Sequence, residues 1–173
     1  MVPHGQTTLP AIADLATERR NRIMRAGALT LITLFVLVGL LGGYGVHASH
    51  VSAEGTGGLR VDLTYPGRAR PALAVPYELR ISRVGGFDDP IEVSTTTRYL
   101  EMFDENGRNP EPKESTTDGD STIWTFDPPP GDTLVVWLDS RVEPGVQWRR
   151  SATTRVRTGD HEATLRYTTW IFP

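Results

Sequence analysis

Leu59–Tyr65 reads LRVDLTY, and its alternation decides the fold class. Leu59, Val61, Leu63 and Tyr65 fall on one side, and Arg60, Asp62 and Thr64 on the other. Successive side chains of an extended chain point to opposite faces, so a period of two predicts a half-buried strand. The period returns downstream: Val75, Tyr77, Leu79 and Ile81 alternate with Glu78, Arg80 and Ser82 as far as Gly85-Gly86. Ile91–Thr97 is rich in β-branched residues, and Arg98–Phe103 is the next candidate strand. It runs into Asp104-Glu105-Asn106-Gly107, where Asn-Gly favours a tight reversal. Thr122–Phe126, Thr133–Ser140, Ala152–Arg157 and Glu162–Ile171 complete the series. Pro66-Gly67, Pro128-Pro129-Pro130-Gly131 and Gly159-Asp160 act as stops, and the polar, proline-containing stretch Arg108–Ser121 reads as loop. The expectation is a mainly β domain over residues 59–173, with seven or eight short antiparallel strands packed as two sheets or a barrel.

Moving toward the N-terminus, residues 47–58 (HASHVSAEGTGG) are small, polar and Gly-rich and read as a flexible linker. Before them, Ala26–Val46 (AGALTLITLFVLVGLLGGYGV) carries no charge. Its length at helical rise is about 31 Å, enough to cross the hydrocarbon core of a bilayer. Arg19, Arg20, Arg22 and Arg25 precede it, whereas the next Lys or Arg beyond it is Arg60. The positive-inside rule therefore predicts a cytoplasmic tail (1–25), a transmembrane helix (26–46), a linker (47–58) and an extracytoplasmic domain (59–173). The expected location is the cell membrane, single-pass with the N-terminus inside. The alternative is a secreted form released by signal peptidase after Val46-His47-Ala48 or Val51-Ser52-Ala53. The domain is exported under both readings.

The chain contains no cysteine, so thiolate chemistry, disulfides and lipidation at cysteine are excluded. Lys113 is the single lysine against seventeen arginines, the codon bias of a GC-rich bacterial genome of the actinobacterial kind. From His47 onward there are fourteen Arg and Lys against nineteen Asp and Glu, which argues against nucleic acid as a partner.

YELRISR before a Gly break, TFDPPPGDTLVVWLDSRVEPG and the final ATLRYTTWIFP together resemble successive strands of immunoglobulin-like and fibronectin type III-like sandwiches. The whole arrangement, an anchor followed by such a domain, is similar to small actinobacterial membrane proteins. The resemblance covers Leu59–Pro173 and implies an adhesion or assembly role by analogy of fold.

No nucleophile elbow, zinc-protease motif, P-loop or dinucleotide fingerprint is present, so no catalysis and no cofactor are expected. The acidic pairs Asp88-Asp89, Asp104-Glu105, Asp118/Asp120 and Asp127/Asp132 fall in turns and lack the spacing of a calcium loop, so no metal is expected. Thr133–Ser140 is apolar on both faces at its centre, which leaves Val135 and Trp137 either under a loop or exposed to dock a partner. Trp170 and Arg166 share a face of the last strand, and the register decides whether Arg155 or Arg157 comes within cross-strand reach of Arg166. Gly39 and Gly43, four apart, allow close helix packing in the membrane.

The expected function is non-catalytic: an accessory subunit held in the lipid bilayer whose exported domain binds a protein, with integral membrane proteins among the candidates. The alternative is a module that binds envelope glycan or anionic polymer through Arg155, Arg157, Arg166 and Trp170.

Overall fold

A computed structural model describes residues 9–42, 45–146 and 148–172, with side chains from Thr17 onward. The chain forms two compact units, divided after Tyr44.

The first unit is one continuous helix, α1 (Leu9–Leu40). Within it Thr17–Leu40 contains an 18-residue window of mean hydropathy 2.1 and is long and apolar enough to span a membrane. Its apolar side chains, Leu31 and Phe35 among them, are exposed, as a lipid-facing helix requires. Thr30 donates its hydroxyl to the Ala26 carbonyl, so even this polar group is satisfied within the helix.

The second unit is mainly β. Its strands are β1 (His47–Glu54), β2 (Leu59–Ala69), β3 (Ala74–Val75), β4 (Glu78–Arg83), β5 (Ile91–Thr96) and β6 (Phe103–Asn109). They continue as β7 (Glu114–Asp118), β8 (Ser121–Phe126), β9 (Thr133–Val142), β10 (Trp148–Thr158) and β11 (His161–Ile171), with a one-turn helix α2 (Thr97–Leu100). Hydrogen bonds run through nine of them in the order β3-β9-β4-β2-β11-β10-β5-β8-β7, with β1 on β2 and β6 on β9. The result is a curled, mixed half-barrel.

The expectation of seven or eight antiparallel strands is therefore corrected to eleven among the described residues, with one parallel pair. That pair joins the end of β2 to the end of β11, Arg68 facing Trp170 and Ala69 facing Ile171. Three further differences have local causes. The linker is folded: His47–Glu54 pairs along β2, with Val51 and Ala53 half-buried against the core. Pro66-Gly67 does not stop its strand but forms a bulge, with Ala48 facing Pro66 and His47 facing Arg68. A Cβ on Gly67 would overlap the Ser49 hydroxyl, which explains glycine there. Arg98–Phe103 begins as the turn of α2, which buries Tyr99, while Asp104–Gly107 is strand and the 108–121 loop contains the β7–β8 hairpin.

The predicted inward residues line the core. Leu59, Val61, Leu63, Leu79, Ile81 and Val136 are all essentially inaccessible, each contributing about 1.5–3 kcal/mol of hydrophobic stabilisation. A chain of buried hydroxyls crosses this interior. Tyr77 and Tyr167 approach at 3.3 Å, Tyr167 and Thr154 at 2.9 Å, and Thr154 and Thr95 at 3.0 Å. Tyr99 and Thr169 form a separate pair at 2.8 Å. Burial raises the Tyr77 phenol, and raises those of Tyr99 and Tyr167 well above the ordinary value, so all three act as neutral hydrogen-bonding groups.

Candidate functional site

β9 places its even-numbered residues Leu134–Val142 in the core and its odd-numbered ones outward. Trp137 is thereby 56% exposed in mid-strand, while Val135 is half-buried beside it. Trp137 faces Glu78 on β4 and Asn109 on β6, and Val135 faces Arg80. On the adjacent strand β4, Arg80 pairs with Glu78 at 3.1 Å, and one strand further out, on β2, Arg60 pairs with Asp62 at 3.0 Å and the Thr64 hydroxyl meets His50 at 2.9 Å; Asp139 shares the outer face of β9 with Trp137. An exposed indole in mid-strand can bury a large apolar area against a partner.

Arg155, Arg157 and Arg166 share the outer face of β10 and β11, as the alternation predicted. Arg155 pairs with Glu162 at 3.1 Å, and Arg157 lies in register between Glu162 and Glu92. Arg166 faces Thr153 and is diagonal to Arg155. Trp170 stands four residues further along β11, roughly 13 Å away, and belongs with Arg149 instead. The Arg149 guanidinium lies 5.7 Å from the Trp170 ring centroid. The arginines and the tryptophan therefore do not converge, and Trp137 is carried three strands away along the sheet.

Arg19, Arg20, Arg22 and Arg25 are exposed on α1, and Gly39 lies near its end. Gly43 lies outside the described residues. The acidic turns are partly used in pairing: Asp127 with Lys113 at 2.9 Å, Glu105 with Arg108 at 2.8 Å, and Asp104 with Arg141. Among the described residues no three His, Asp or Glu side chains gather as metal ligands would.

One feature escaped the sequence reading. Trp148, Trp170 and Phe172 are 75%, 49% and 47% exposed at the end of the β10–β11 pair, where Trp148 faces Ile171 and Arg149 faces Trp170. Its signal was present in the pairing of WRR (148–150) with TWI (169–171), but only the register brings the segments together. An open groove of about 620 Å³ runs beside Trp170 and Phe172, its other walls being His47, Ser49, Gly67 and Arg68.

No protein-family model matches the chain, and no curated protein sequence matches it.

Proposed function

We propose that the chain is a single-pass membrane protein, N-terminus inside, whose exported domain is a non-catalytic module that docks a protein partner through Trp137. Mid-strand exposure of Trp137 carries this reading, beside the Arg80–Glu78 pair on β4. Tryptophan is favoured at interface centres because one side chain removes a large apolar area from water with little entropy cost. The four arginines before the apolar helix support the orientation.

An immunoglobulin-like sandwich is the finer description we propose for the domain. The neighbour order β2-β4-β9-β6 corresponds to one sheet of that fold, and β11-β10-β5-β8-β7 to the other. Three departures mark it as a variant: the parallel β2–β11 pair joins the two groups of strands into one curled sheet, β6 precedes the β7–β8 hairpin in sequence, and the buried Trp124 lies on β8. The polymer-binding alternative draws less support, since Arg155 and Arg157 lie among carboxylates on their own face.

A photoreactive amino acid at position 137, activated in native membranes, tests the docking reading. A discrete adduct is expected from position 137 and none from position 153 on the other arm. Equal labelling from both positions, or none from either, would dismiss the Trp137 surface.

A further inference from the structure

We propose that the groove walled by Trp170, Phe172, Arg68, His47 and Ser49 binds an acidic saccharide. The site is separate from the Trp137 surface and does not rest on it. Arg155 and Arg157, which lie among carboxylates, take no part.

Register builds the site. Arg149 on β10 faces Trp170 on β11, Trp170 faces Arg68 on β2, and Arg68 faces His47 on β1. All four residues are exposed, so one row across four strands presents a guanidinium, an indole, a second guanidinium and an imidazole. Neighbouring strands lie about 4.8 Å apart, which sets the two arginines roughly 10 Å apart with the indole between them. Phe172, two residues beyond Trp170 on the same face, extends the apolar floor, its ring centroid 5.6 Å from the Arg68 guanidinium.

Chemistry selects the ligand. The groove, at about 620 Å³, has the size of a small-ligand site. None of its described wall residues is acidic, and Arg149 faces the indole rather than a carboxylate, so the local field attracts an anion. The electron-rich face of an indole attracts the slightly positive C–H hydrogens that line one side of a sugar ring. Guanidinium groups on either side of that ring accept carboxylates in bidentate geometry, while Ser49 and His47 offer hydrogen bonds to sugar hydroxyls. A fatty chain would match the rings but leave the cations without a counter-charge. An acidic peptide fails on another ground. Extended peptides dock by adding main-chain bonds to an open strand edge. Trp170 has strand neighbours on both sides, Arg149 and Arg68, and Arg68 has Trp170 and His47, so the floor of this groove is sheet face and not edge.

The test titrates the full-length chain, in micelles of an uncharged detergent, with oligogalacturonic acid and follows binding by calorimetry. Wild type is expected to bind, and Trp170→Ala and Arg149→Gln each to weaken binding by about tenfold. Trp137→Ala is expected to leave the affinity unchanged. Both groove side chains are exposed, so wild-type thermal midpoints are expected, and Arg149→Gln carries the test alone if Trp170→Ala unfolds. No binding by wild type, or undiminished binding by Arg149→Gln, overturns the proposal. So does a neutral maltooligosaccharide that binds as tightly, since the charge would then be idle. Equal affinity for oligoglutamate overturns the saccharide assignment. None of these outcomes bears on the crosslink expected from position 137.

Discussion

The Arg108 guanidinium on β6 lies 3.9 Å from the ring centroid of Trp124 on β8. These strands share no hydrogen bonds: β6 pairs with β9, and β8 with β5 and β7. The stacked pair thus joins two arms of the curled sheet that the backbone leaves unconnected. Arg108 is only 13% exposed in its side chain and is held on its far side by Glu105 at 2.8 Å.

Arg108→Ala is expected to lower stability by about 1–3 kcal/mol, since stacking, packing and an ion pair go together. Arg108→Lys keeps the charge but not the flat stacking surface, and should recover less than half of the loss. Urea midpoints measure both; an alanine variant indistinguishable from wild type would show that the arms close without this pair.

Alkaline pH should destabilise the domain. Burial raises the phenols of Tyr77, Tyr99 and Tyr167 in the folded state. Their stabilising contribution is complete below the ordinary tyrosine value of about 10 and is lost as pH climbs above it, because the unfolded chain ionises first. Thermal midpoints that stay flat from pH 9 to 11 would contradict this.

Tyr99→Phe isolates one part of that interior. It removes the 2.8 Å contact and leaves the Thr169 hydroxyl, fully buried, without it. A loss of about 1–2 kcal/mol is expected, and Tyr99→Phe/Thr169→Val should recover part of it. A double variant less stable than the sum of the two single variants would refute the pairing.

Ser140 offers the opposite sign. Its hydroxyl is buried and has no hydrogen-bond partner among the described residues. Ser140→Ala removes a desolvated polar atom and is expected to be neutral or stabilising by up to about 1 kcal/mol. A clear destabilisation in the same urea assay would reveal a bond to that oxygen.

Gly55 is sterically fixed. A Cβ there would overlap the Glu162 carbonyl oxygen, a backbone atom that cannot swing aside. Gly55→Ala should cost about 1–3 kcal/mol by forcing β1 and β11 apart, whereas Gly131→Ala, which meets open space, should be nearly neutral. Comparable midpoints for the two variants would discard the close approach.

Much of the strand framework was legible because burial leaves a local trace. Leu59/Val61/Leu63 and Leu79/Ile81 announce an inward face without reference to any partner. Glu114–Asp118 has no such trace: every residue is exposed, and it becomes strand only because β8 offers a backbone ladder. The 47–54 stretch hid in the same way, its small Val51 and Ala53 half-buried on an edge. At the surface, residue type named Trp137 and Trp170 as candidates, but exposure is a property of neighbours.

By itself the sequence determined the apolar helix, the cationic residues before it and a mainly β domain, because hydrophobic run length and side-chain alternation are written residue by residue. Tertiary structure decided the rest: the bulge that turns the end of β2 toward β11, the Arg108–Trp124 closure, and the register that sets Trp170 between Arg149 and Arg68. Each depends on which distant strand lies alongside and in what register. Strand pairing is set by the summed burial of the whole sheet, a quantity that no short window of residues contains.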